Sequence, residues 1–100
     1  MKDKVVFYND GVFIGDSVFA VFPYMTGTID PHTMQMYAHV GQHGSACMDY
    51  LDECRLATPD QYRHLKSELE GIGYDLEVLE DYDRQEAFEA RERELIAIAG

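Results

Sequence analysis

The residues best suited to chemistry lie between Tyr37 and Asp49, in the run Tyr-Ala-His-Val-Gly-Gln-His-Gly-Ser-Ala-Cys-Met-Asp. His39, His43 and Cys47 recur at steps of four, and neutral imidazole and thiolate are preferred zinc ligands. Gly41 and Gly44 break the helix that would bring His39 and His43 together, and Cys54 or His32 would have to complete the set. The same segment can be drawn as a nucleophilic site, with Cys47 attacking and His39 or His43 as its base. That chemistry also needs an orienting third group, an oxyanion hole and a cleft, for which a small sheet domain has little room. The plainer reading is a structured turn whose histidines bond to backbone, with no cofactor. Paired carboxylates carry no hydrolase signal here, because among 19 acids some pairs are neighbours by chance. Gly41-x-x-Gly44 lacks the basic residues of a nucleic-acid clamp loop. The chain therefore reads as non-enzymatic.

The second candidate is acidic. The 100 residues hold 19 Asp and Glu against 8 Lys and Arg, a formal charge of −11. The densest stretch holds Glu77, Glu80, Asp81, Asp83, Glu86, Glu89, Glu92 and Glu94, diluted by Arg84, Arg91 and Arg93. Such a surface repels phosphate backbones and anionic lipid, since nucleic-acid binding relies on Lys and Arg replacing counterions. Direct binding to nucleic acid or membrane is disfavoured. The same field attracts basic proteins and speeds encounter with them. Glu77, Glu80, Asp81, Asp83, Glu86 and Glu89 are the candidate partner contacts. Tyr82 is the candidate anchor, as Tyr is enriched at interface hot spots. Solubility alone is the blander role for the same charge.

These residues must be positioned by a small fold. With 46 % hydrophobic residues and 12 % aromatics, the chain carries too much apolar material for a disordered tail. No apolar run approaches the ~18 residues of a membrane span, and the opening residues do not form a signal peptide, so the expected compartment is the cytoplasm. Cys47 and Cys54 are expected as free thiols.

Lys4 to Tyr8 reads as a strand, Asn9-Asp10-Gly11 as a tight turn, and Val12–Ile14 as the return strand. Val18 to Phe22 reads as a third strand, ended by Pro23. Phe7, Phe13, Phe19 and Phe22 supply core bulk. Residues 25–33 read as loop. Thr33 to Val40 alternates, with Met34, Met36 and Ala38 on one side and Gln35 and Tyr37 on the other. Gly41 to Ser45 is expected as loop, and Ala46 to Arg55 as short helical turns.

Thr58-Pro59-Asp60-Gln61 combines an N-cap, a proline at the first helical position and a capping-box glutamine. Tyr62, Leu65, Leu69 and Ile72 mark one helix face, Gly71 and Gly73 the stop, and Tyr74 to Val78 a following strand. From Asp83 on, helix formers predominate, with packing expected through Phe88, Leu95 and Ile98. The whole is predicted to be α+β: residues 1–82 form a mainly antiparallel β-meander with one helix on a face, and residues 83–100 a C-terminal acidic helix extending that domain.

The run Tyr37-x-His39-Val40-Gly41-Gln42-His43-Gly44-x-Ala46, followed by Ala57-Thr58-Pro59-x-x-Tyr62-x-x-Leu65-x-x-Glu68-Leu69-x-x-Ile72-Gly73-Tyr74, resembles a group of small proteins encoded by bacteria, phages and plasmids. The likeness spans roughly residues 18–79 and includes the Phe22-Pro23 strand end. It implies a mobile-element context and brings no activity with it. The chain departs from the group at Val12–Asp16 and in the acidic helix after Asp83. Together these features lead to the expectation of an acidic protein-binding module. Its concrete version is a mobile-element inhibitor of host nucleic-acid-handling or defence machinery, acting as a nucleic-acid mimic on a partner's basic surface. The alternative is a small metal- or ligand-binding domain centred on the His39–Cys47 loop. A homodimer through the C-terminal helix is a third reading.

Overall fold

A computed structural model describes residues 2–9, 18–38 and 42–99, of which Gln42, His43, Met48 and Ala99 are described by backbone alone. Strands β1 (Asp3–Asn9), β2 (Val18–Thr26), β3 (Thr33–Ala38) and β4 (Gln42–Cys47) are successive antiparallel neighbours, a β-meander. The other side of β1 is shared by two short strands. β5 (Arg55–Leu56) pairs antiparallel with its end, and β6 (Leu76–Val78) pairs parallel with its start. The helices are α1 (Met48–Asp52), α2 (Pro59–Ile72) and α3 (Arg84–Ala99). The molecule is α+β, with a mainly antiparallel sheet and a C-terminal helix.

Side-chain alternation gives the sheet two apolar faces. Val5, Phe7, Ala20, Phe22 and Tyr37 pack with Leu65 and Leu69 of α2, each buried leucine contributing about 2 kcal/mol. Phe19, Val21, Met34 and Ala46 point the other way and pack with Leu51 of α1. The expected alternation of β3 is thus observed, Met34 facing one core and Tyr37 the other. Two polar devices secure α2. Thr58 accepts from the Gln61 backbone while the Gln61 side chain accepts from the Thr58 backbone. The Tyr37 hydroxyl donates to Glu68 Oε2 at 2.5 Å, tying the helix to β3. Gly73 ends α2 at φ 116°, a left-handed conformation that costs a side-chain-bearing residue about 1–2 kcal/mol.

Several expectations need correction. β2 does not stop at Pro23 but continues to Thr26, because three extra residues bulge out of register: Phe22 faces Gln35, whereas Thr26 faces Met34. Proline has no N–H for the ladder, so the bulge falls where the ladder cannot be made. The bulge also inverts the alternation. Met25 joins the α2-side core, and Tyr24 turns towards Tyr82.

Gly41–Ser45 is not a loop throughout, since β4 starts at Gln42. Its backbone groups find partners in β3 with continuous register from Gln42 to Cys47. The strand expected over 74–78 is shorter, and Leu76–Val78 is captured beside β1. The return strand expected at Val12–Ile14 lies outside the described residues, as do Phe13, His39 and Val40. β1 pairs with β2 on one side and with β5 and β6 on the other.

Candidate functional site: an acidic patch around Tyr24

The charges of three of the acidic candidates act on one phenol. Burial pushes the Tyr24 hydroxyl above its ordinary pKa, and the nearby charges of Glu86, Asp83 and Glu77, together with Tyr82, push it in the same direction. Glu77 of β6, Asp83 just before α3 and Glu86 in its first turn are therefore near enough for their charges to act on Tyr24, and all three are exposed. Each arrives by a different local rule. Glu77 sits in β6 directly beside Lys4 of β1 in the parallel register. Asp83 precedes α3 and accepts the Glu86 backbone N–H at 3.0 Å, an N-cap. Glu86 lies in the first turn of that helix, where a negative charge is favoured by the helix dipole. Lys4 places its ammonium 4.6 Å over the Tyr24 ring, so one cation lies within the patch.

The bulge in β2 and the buried Arg91 hold this arrangement. Arg91 is 1 % exposed. Its Nε donates to the carbonyl of Pro31 at 2.7 Å, and its Nη1 to the carbonyl of Pro23 at 2.6 Å. One side chain thus clamps α3 to the bulge that presents Tyr24. Ala87, one turn earlier, is fully buried against the same region. The packing face of α3 is therefore Ala87 and Arg91. Phe88 and Leu95 are half-buried, and the expected contact through Ile98 is absent, because that residue is 73 % exposed. Small alanine permits the close approach, and the arginine is drawn inward by the carbonyls of Pro23 in the bulge and of Pro31 in the turn before β3. A hydrophobicity pattern cannot show either feature.

The other candidates are placed as follows. Glu80, Asp81 and Glu89 are exposed. Asp81 accepts the Tyr82 backbone N–H, and Glu89 accepts from the Gln85 side chain one turn earlier. Tyr82 is half-buried. Its ring meets Tyr24 edge-on at 6.5 Å between centroids, and its hydroxyl points to Met34 Sδ at 3.8 Å. Much of Tyr82 therefore serves as packing beneath the patch. Sequence reasoning missed Lys4, Tyr24 and Arg91. The Pro23 and Pro31 pair, flanking a segment opposite an arginine-bearing helix, is the signal that could have suggested the clamp.

Within the chemical segment, the described backbone separates one of the candidate pairs. His43 and Cys47 stand near opposite ends of β4, and four residues of extended chain put their Cα atoms about 13 Å apart. Donor atoms on one zinc ion lie within about 4 Å of each other, and side chains that stand roughly perpendicular to a strand do not close such a gap. β4 therefore does not bring this pair together, either for metal or as nucleophile and base. His39 lies outside the described residues. Cys47 is exposed, and Cys54 is half-buried with its thiol directed at the Tyr50 carbonyl, 3.4 Å away. His32 bonds through Nδ1 to Asp30 at 2.9 Å and rests against the Phe88 ring. The His32 backbone N–H and then its ring hold the Asp30 carboxyl below the usual range. A shallow depression near 360 Å³ is lined by His32, Cys47, Asp49 and Asp52. Among the described residues, no three His, Cys, Asp or Glu side chains are grouped to hold a metal ion, and no helix is long and apolar enough to cross a membrane. No family model, curated protein or solved structure matches the chain.

Proposed function

We propose that this protein is a binding module for another protein, and that the surface it uses is the acidic patch of Glu77, Asp83 and Glu86 around Tyr24, widened by Glu80, Asp81 and Glu89. The observation that carries this reading is that exposed carboxylates of β6 and of the start of α3 act on one side chain, Tyr24, beside the bulge to which Arg91 clamps α3. Carboxylates so arranged can take the place of backbone phosphates in a groove lined with Lys and Arg. The partner class is a basic, nucleic-acid-handling protein. The resemblance to phage- and plasmid-encoded proteins supports a host defence component as the particular target and inhibition as the outcome. No catalytic step is assigned to any residue.

The test is a pull-down from nuclease-treated host lysate, with wild type beside the triple variant Glu77→Lys, Glu80→Lys, Glu86→Lys. Asp83 is left in place because it caps α3. Wild type should retain a nucleic-acid-binding protein at low salt and release it as salt rises or as duplex DNA is added. Undiminished capture by the folded triple variant would contradict the assignment.

A further inference from the structure

The two edges of the sheet are built on opposite rules. On the β5–β6 side the strands are two and three residues long and carry Arg55 and Glu77, the short, charged form that discourages pairing with another chain. On the other side β4 runs for six residues, Gln-His-Gly-Ser-Ala-Cys, without a Lys, Arg, Asp, Glu or Pro. No described strand pairs with its outer edge. Gly44, Ser45 and Cys47 are exposed. This neutrality extends well beyond the strand. From Pro31 to Met48 there are 18 consecutive residues without one of the chain's 27 charged side chains.

We infer that the β4 edge is a self-association surface, on which β4 of a second copy pairs antiparallel to make one continuous sheet across a two-fold axis. Charge favours this occupant. Two molecules of charge −11 repel each other over most approaches, and the β3–β4 hairpin is where neither presents a charged side chain. Tyr24, at the centre of the acidic patch, is two strand spacings from β4 and Glu77 is four, so the two Tyr24 residues of the pair stand five spacings, about 24 Å, apart, beyond a screening length of about 8 Å. A basic partner peptide would gain nothing from a neutral edge. The symmetry also limits the register. A closed two-fold pair of antiparallel strands must match like faces, which puts the axis at Gly44 or at Ser45. In both cases residue 44 lies directly or diagonally opposite its own copy. A six-residue edge buries less than a standard interface of about 1,600 Å², so the association should be weak and dependent on concentration.

The test is sedimentation of the full chain over roughly 5–500 µM at low and high salt, with Gly44→Lys and Gly44→Ser as variants. A Cβ at Gly44 meets nothing within 4 Å, so both variants should fold, as circular dichroism can verify. Wild type and Gly44→Ser should dimerise, and more strongly as salt rises because the overall repulsion is screened. Gly44→Lys should weaken the dimer by about fivefold or more, since like charges then face each other across the strands. A monomer at every concentration and salt would overturn the inference. So would a dimer insensitive to Gly44→Lys, which would point instead to the exposed Ile96 and Ile98 of α3.

Discussion

A guanidinium withdrawn from water needs acceptors for its N–H groups, and at Arg91 only part of that need is met. Nε and Nη1 donate to Pro31 and Pro23, whereas Nη2 is buried without a hydrogen-bond partner among the described residues. Burial lowers the pKa of the group, yet an arginine remains charged at neutral pH. Removing it leaves two carbonyls unanswered and a void beside Ala87. Arg91→Ala should therefore cost on the order of 3 kcal/mol in urea denaturation, and loss of less than 1 kcal/mol would show that the clamp is not a stability element.

A second residue-scale expectation concerns pH. Burial, then Tyr82 through its proximity and a hydrogen bond, raises the Tyr8 pKa well above 10, with Arg84 opposing. The folded state therefore holds the phenol's proton more tightly than the unfolded chain does. That contribution is fully present below the unfolded pKa of about 10 and is lost as pH rises above it. Stability should fall above about pH 10, and Tyr8→Phe should flatten the fall. An equal decline in both proteins would place the sensitivity elsewhere.

At the scale of elements, α2 was the most legible because each of its signals is local. Thr58 caps, Pro59 starts, Gln61 closes the capping box and Gly73 stops the helix. Thr58→Ala should cost about 1 kcal/mol and Gly73→Ala a similar amount, measured as a shift in denaturation midpoint without a change in slope. No shift for either would mean that tertiary packing alone sets the helix ends. β4 was hidden because its glycine and polar residues have low strand propensity, and only pairing with β3 makes them a strand. β5 is two residues long, too short for any period. The bulge at Pro23 and the inward turn of Arg91 depend on each other across 68 positions of sequence, so neither segment alone shows them. The acidic stretch was legible as composition. What composition could not supply was that Glu77, Asp83 and Glu86 all act on Tyr24, which requires β6 to lie beside β1.

At the scale of the molecule, an acidic surface and an uncharged strand edge coexist. The acidic patch lies by β6 and the start of α3, and the uncharged hairpin forms the far edge of the sheet. The two surfaces should respond to salt with opposite signs. Partner binding through the patch should weaken as carboxylates are screened, and the proposed self-association through β4 should strengthen. Both should be able to operate at once, because Glu77, Asp83 and Glu86 lie outside the β4 edge and are exposed.

The most direct measurement is the salt-resolved, nuclease-treated pull-down with wild type and the Glu77→Lys, Glu80→Lys, Glu86→Lys variant side by side. The expected result is one nucleic-acid-binding protein held by wild type at low salt, shed as salt rises, and absent from the variant. Capture that is equal in the two proteins and indifferent to salt would contradict the assignment of the Tyr24 patch as the binding surface.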